Sequence, residues 1–390
     1  MSNLILPDNL DIASFLDAFW QRKHLFMPGA LASFQSPIEP DELAGLACED
    51  EIESRIVLEK GGTEPWELRS GPFDESDFQD LPESHWTLLV QDVDKHLPGV
   101  AELLKSFRFL PDWRLDDIMI SYAVDGGTVG PHIDDYDVFL IQAWGNRRWS
   151  ISEKAYSEED YVPGLDLRIL PEFRTDATWL TKPGDVLYLP PNLAHWGVAE
   201  GECMTISVGF RSPRLRETLV SGLMSAADVH LPGKRYQDPG RAVAENPGEI
   251  KPETRDQLLD LLKSLVNATE NDLEIHFGRY ITEPKQNLAV YPRDVQTSAE
   301  QLLESIGQQE ELIKNGYSRL AFSCWDDETP HFFANGKDYA ASHVPLPFLK
   351  LITDETVIPA DTITPWLSQQ ACLDLLLALI NDGHLLFPDD

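Results

Sequence analysis

The stretch TVGPHIDDYDVFLIQAWGNRRW, residues 128–149, sets a histidine and an aspartate two positions apart ahead of an apolar run, and closes on a pair of arginines. Read as a strand, it places His132 and Asp134 on one face and Ile133 on the other, because successive side chains alternate across a pleated backbone. Two ligand-bearing groups then reach one ion. A pair alone is a weak signal: with 10 His and 66 Asp+Glu in 390 residues, roughly two H-x-[DE] pairs arise by chance. A third ligand is needed.

His195 supplies one, in KPGDVLYLPPNLAHWGVAEG, residues 182–201. The turn KPGD launches a strand, Pro190 and Pro191 stiffen its exit, and the histidine follows within a few residues. Taken singly, each of these groups reads better as a satisfied strand-end histidine or a solvated acid. Together they make the two-histidine, one-carboxylate set of non-heme Fe(II) oxygenases, which leaves adjacent positions open. If 2-oxoglutarate fills two of those through its keto acid and leaves the third for O2, its distal carboxylate requires a cation. Arg147 and Arg148 follow in WGNRRW with opposite orientations, so only one can face inward. A guanidinium fork matches the two oxygens of a carboxylate. Alternation does not choose between the two.

The rest of the chain bounds these readings. A length of 390 residues with 42% hydrophobic residues allows two or three globular domains. No run of about 18 apolar residues occurs, and the first residues lack a basic segment followed by an apolar stretch, so no export or membrane segment is expected. Cys48, Cys203, Cys324 and Cys372 are scattered and read as reduced thiols. These features predict a cytoplasmic protein without membrane association. A formal net charge of −35, from 31 Lys+Arg against 66 Asp+Glu, repels phosphate backbones. Direct nucleic-acid binding is disfavoured; the acidity confers solubility or suits a basic protein partner.

Residues 11–23 carry Ile12, Phe15, Leu16, Phe19 and Trp20 at helical spacing, and PIEPDELAGL opens a second helix. The runs WTLLVQDV, DDIMISYAV, YDVFLIQAW, NRRWSIS, DVLYLPP and CMTISVGF predict short strands of a sandwich or barrel. From Arg214 to about Tyr280 the apolar spacing turns helical, interrupted by LPGKRYQDPGRAVAENPG. An acidic helix SAEQLLESIGQQEELI, strand-like SRLAFSC and PHFFANGKDYAA, and a last helix PWLSQQACLDLLLALINDG suggest a small α+β unit such as a winged helix. Beyond residue 285 its cations are few and scattered among acids, so no basic recognition stripe forms.

The combination of Ser121, His132-x-Asp134, WGNRRW and PGDVLYLPPNLAHWG resembles the JmjC oxygenases, and within them the bacterial ribosomal oxygenases related to cupins. The resemblance covers most of the chain. It implies an α+β chain: a double-stranded β-helix (jelly-roll, cupin, JmjC) catalytic domain over 1–212, a helical dimerisation segment over 213–283, and a winged-helix-like domain over 284–390. It implies Fe(II) held by His132, Asp134 and His195, with 2-oxoglutarate and O2 as cosubstrates. It also implies Arg147 as the cation for 2-oxoglutarate, which settles the choice against Arg148, and Ser121 as a residue of the same pocket. The activity implied is hydroxylation of a side-chain carbon, an arginine β-carbon, of a basic 50S ribosomal protein by a homodimer. Asp125, Asp135 and Asp137 play no part in the redox cycle; one of them pairs with a substrate guanidinium, or all three are solvated loop acids. Two other readings compete: histidyl hydroxylation or N-methyl-lysine demethylation of another basic protein, and a non-catalytic cupin-like binding module.

Overall fold

Apolar and polar side chains alternate through the first half of the chain, and each alternating run is a strand. In the computed structural model, which describes residues 4–7, 10–61, 65–156, 161–162, 167–233, 235, 237, 239, 252–269, 273–285, 287–325 and 329–388, the chain forms two units, Met1–Ser212 and Pro213–Asp390. The strands of the first are β1 (Leu25–Met27), β2 (Ser54–Glu59), β3 (Trp66–Ser70), β4 (Trp86–Val90), β5 (Leu115–Ala123), β6 (Val138–Ser152), β7 (Ala177–Thr181), β8 (Val186–Leu189) and β9 (Ala194–Phe210). They pair in the order β1-β8-β6-β9-β5-β4-β2-β3, with β7 also on β6. Every pairing is antiparallel.

Strands β6 and β9 are long enough to serve two sheets. The first part of β6 pairs with β8 and with the end of β9; its last part, from Arg147, pairs with β7 and with the start of β9. The register shifts between, around Trp144. Gly145 permits this bend: its φ is +61°, and a Cβ there would fall 2.0 Å from the Glu202 carbonyl oxygen. The outcome is the double-stranded β-helix, with an α+β chain as a whole.

The pleat then sorts side chains between a core and a cavity. Ile56, Leu58, Leu88, Val90, Ile118, Ile120, Ile206 and Val208 all enter one apolar core with Phe15 and Phe107. Their neighbours Arg55, Val57, Leu89, Asp117, Met119, Ser121, Thr205 and Ser207 line a cavity of about 380 Å³ on the other face. Period-two alternation thus makes one face hydrophobic support and the other a wall of mixed polarity. The amphipathic N-terminal segment closes the core. Its helix is shorter than expected, Ile12–Ala18, because the chain turns through Gln21 at φ 57°. Trp20 still packs inward, stacked 5.6 Å from Tyr188.

Two strand expectations are corrected. NRRWSIS is the continuation of β6 and no separate strand. Residues 132–134 are not a strand: His132 makes one isolated bridge with His195, and the chain then bends. Gly130 at φ +78° and Pro131 interrupt pairing there.

The second unit holds the helices Leu215–His230, Pro252–Thr269 and Leu273–Thr282, then Ala299–Gly307, Leu346–Asp354 and Gln370–Asn381 around two small antiparallel sheets. Most of the predicted connection 231–248 lies outside the described residues. Ser298 and Gln301 form a reciprocal cap at the start of the acidic helix. Its predicted end is different: Leu312–Lys314 is a strand, paired with Val357–Ile358 and Leu385–Leu386. PHFFANGKDYAA forms two strands around Asn335-Gly336, both at positive φ as a tight hairpin turn requires. No described helix is long and apolar enough to cross a membrane.

Candidate metal centre and cosubstrate cavity

The bridge between His132 and His195 is what brings the three predicted ligands together. Each residue's backbone N–H donates to the other's carbonyl at 3.0 Å, which sets the two imidazoles 4.2 Å apart between ring centroids. The Asn192 N–H donates to the Asp134 carbonyl at 2.7 Å, tying the turn after Pro190-Pro191 to the segment that carries the carboxylate. Asn192 stands at φ 65°, so the turn that orients His195 also clamps Asp134. Asp134 Oδ2 lies 3.9 Å from His132 Nε2 and 3.5 Å from His195 Nε2. Across His132, Asp134 and His195, one ligand atom from each falls within 4.8 Å of the others.

Both imidazoles are held in the tautomer a metal needs. His132 Nδ1 lies 2.9 Å from the Gly130 carbonyl and His195 Nδ1 lies 3.0 Å from that of Leu193. A carbonyl accepts only, so each Nδ1 carries a proton and Nε2 is the ring nitrogen left to face Asp134. Burial, with His132 beside it, lowers the His195 pKa to about 4, so this ring is neutral at pH 7. Two imidazole nitrogens and one carboxylate on one side of an ion fit a divalent cation with coordination positions left open. The donor set suits Fe(II).

Deeper in the same cavity, Arg147 is 2% exposed while Arg148 is exposed and paired with Glu200. Arg147 Nη1 donates to Ser121 Oγ at 3.2 Å and Nη2 to the Gly197 carbonyl at 3.4 Å, whereas its Nε is buried without an acceptor among the described residues. Its Cζ sits 5.1 Å from the Trp149 ring. Gly197 is required beside them: a Cβ would fall 2.6 Å from Trp149 and 2.8 Å from Arg147 Nε. Burial pulls the guanidinium below its ordinary range, and an unspent buried donor is costly unless an anion completes it. The cavity therefore offers a carboxylate-shaped site below a metal-shaped one.

The three acids singled out in the sequence part company. Asp137 is fully buried, accepting from Tyr188 Oη at 2.7 Å and Gln21 Nε2 at 2.9 Å, and faces the core instead of the cavity. Asp125 accepts from the Gly201 N–H at 2.8 Å and does not line the cavity. Asp135 does line it, as do Asp117 and Tyr136, which sequence reasoning passed over.

Residues 102–218 match the JmjC domain family model, and residues 253–386 match the ROXA-like winged helix. Barrel, ligand cluster and domain match together define a JmjC-domain oxygenase. The chain is 35% identical over 379 residues, 97% of its length and 98% of the relative's, to the ribosomal protein uL16 3-hydroxylase of Escherichia coli. A probable ribosomal oxygenase of Haemophilus influenzae is 36% identical over 62% of this chain and 57% of its own. The X-ray structure of E. coli YcfD superposes with a TM-score of 0.86 at 33% identity, covering 99% of this chain and all of that one. YcfD in complex with cobalt and 2-oxoglutarate gives 0.84 at 33% identity, with both chains fully covered. The protein belongs to the bacterial JmjC-domain ribosomal oxygenases.

Proposed function

We propose that this protein is the Fe(II)- and 2-oxoglutarate-dependent oxygenase that hydroxylates a side-chain carbon of the 50S ribosomal protein uL16, an arginine β-carbon. The observation that carries the reading is the pairing, in one cavity, of the His132, Asp134 and His195 donors with the buried guanidinium of Arg147. His132, Asp134 and His195 would hold Fe(II); Arg147, oriented by Ser121, would receive the distal carboxylate of 2-oxoglutarate. Bound there, iron supplies the O2 chemistry that couples decarboxylation of 2-oxoglutarate to succinate with transfer of one oxygen to a substrate C–H. The chain's own contribution is placement: Gly130 and Leu193 carbonyls fix the imidazoles, and the Arg147 guanidinium fixes the cosubstrate. The E. coli relative is named for action on uL16, and YcfD has been seen with cobalt and 2-oxoglutarate.

A net charge of −35 draws a basic ribosomal protein toward the enzyme. Asp117 and Asp135 on the cavity wall are the acids placed to meet a guanidinium. Incubation of the iron-loaded protein with 2-oxoglutarate and uL16 fragments should add one oxygen to one arginine, located by fragment mass spectrometry. Loss of a methyl group, or oxygen on a histidine, would overturn the assignment. The reaction is cytoplasmic and involves no direct contact of the enzyme with nucleic acid.

The assembly is a homodimer built on the helical segment 213–283, with 284–390 as the winged-helix-like domain. Leu219, Leu223 and Met224 on Leu215–His230, and Leu258, Leu262 and Val266 on Pro252–Thr269, remain exposed in the single chain. An isologous two-fold contact is the commonest way to bury such a surface. Light scattering should give twice the subunit mass; one subunit mass independent of concentration would remove the dimer.

A further inference from the structure

Three neighbouring strands carry a row of polar side chains along the cavity wall that the iron and cosubstrate sites do not use. Arg55 projects from β2, Gln91 follows β4, and Asp117 projects from β5; all three line the cavity. The strands are hydrogen-bonded neighbours, β2 to β4 and β4 to β5, so the row runs across the sheet in the order Arg55, Gln91, Asp117. In the orientation of the Gln91 amide that satisfies both neighbours, its oxygen accepts from Arg55 Nη2 at 2.7 Å and its nitrogen donates to Asp117 Oδ2 at 3.2 Å.

We infer that Arg55 and Gln91 are positioning residues that aim the Asp117 carboxylate at the cationic side chain of the substrate. The inference rests on the reading that the substrate side chain is a guanidinium. A carboxylate placed beside an arginine forms a bidentate pair and spends both oxygens on it. The interposed amide avoids this. Gln91 holds one oxygen of Asp117, while the Arg55 charge acts on the far end of the amide and polarises its N–H toward the carboxylate.

Two features of the wall support this geometry. Asp117 faces Gly209 across the sheet, and a Cβ at 209 would stand 3.1 Å from Asp117 Oδ1, so the glycine leaves the second oxygen room to turn into the cavity. Arg55 Nε is buried without an acceptor among the described residues. The Gln91 contact, through Nη2, is thus the hydrogen bond that anchors the guanidinium on the side of Asp117. An arginine whose purpose was to neutralise Asp117 would meet it directly.

The test compares a uL16 fragment peptide with the same peptide carrying citrulline, which has nearly the same shape and no charge, in place of the target arginine. Wild-type protein should prefer arginine by at least about 30-fold in kcat/KM, the worth of a charge-assisted contact. Gln91→Leu should raise KM for the arginine peptide about tenfold, as expected for one hydrogen bond to a charged group, and move the citrulline peptide little. Arg55→Met should act in the same direction. The double variant should be no worse than Gln91→Leu, because both changes break one chain of contacts. Asp117→Asn should erase the preference. Variants that keep the wild-type arginine-to-citrulline ratio, or lose both peptides equally, overturn the relay while leaving the proposed reaction standing; Gln91→Leu alone decides this if Arg55→Met does not fold. A wild-type enzyme without any preference overturns the relay and the guanidinium reading together.

Discussion

His132→Ala and Asp134→Ala should each abolish formation of succinate from 2-oxoglutarate, a loss of at least about a thousandfold, since removing groups that merely support a metal ligand already costs 10–100-fold. Each position supplies one of three clustered protein donors, and among the described residues no further His, Cys, Asp or Glu joins that cluster. Asp135 and Asp137 follow on the same segment, but Asp137 is consumed by Tyr188 and Gln21 in the core. The fold should survive. The His132 and Asp134 side chains keep 23% and 20% of their surface exposed, so little packing is lost, and the His132 contact to Gly130 is one hydrogen bond worth about 1 kcal/mol. Two measurements check the expectation: succinate release with excess Fe(II) and ascorbate, and titration with Co(II) followed by its visible absorption. Wild-type turnover in either variant would sink the ligand assignment. Loss of turnover with undiminished Co(II) binding would sink it as well.

That His132, Asp134 and His195 come together was legible because the signal is local. H-x-D and a histidine after a Pro-Pro exit are short patterns in one strand-rich region, and the resemblance added the choice of Arg147 over Arg148. How the residues are held was not legible. His132 and Asp134 read as alternate positions of a strand, yet they converge through one bridge to His195 and a clamp from Asn192, contacts that join residues about 60 positions apart. The strands β2 and β3 escaped notice: SRIVLE is short and mixes charged with apolar residues, the composition of a strand with one face on a core and the other on a polar cavity. For the same reason Arg55, Gln91 and Asp117 carried no signal. Each looks like a surface residue until the pairing of β2, β4 and β5 lets the Gln91 amide bridge the other two. The apolar helices of the second unit were visible from spacing, whereas Leu312–Lys314 was assigned to the preceding helix because only its partners far along the chain make it a strand.

Arg147→Ala should weaken 2-oxoglutarate far more than it perturbs the fold. Truncating one partner of a buried charged pair costs about 2–5 kcal/mol, which corresponds to a KM rise of roughly 30-fold at the low end. The effect is large because the bound carboxylate would sit where Arg147 is 2% exposed, out of reach of bulk water, and the neighbouring Ser121 hydroxyl carries no charge to replace the guanidinium. Lysine should recover part of the loss, since it restores the charge without the two-pronged fork or the flat face that lies over Trp149. Arg148→Ala is the control set by the pleat. Its guanidinium is half-exposed and pairs with Glu200 on the outer face, an exposed pair worth about 0–1 kcal/mol, so KM should stay within about threefold. Steady-state kinetics with 2-oxoglutarate as the varied substrate separates the two. A sensitive Arg148 beside an indifferent Arg147 would mean that β6 is turned by one residue, and with it every side chain on the cavity wall.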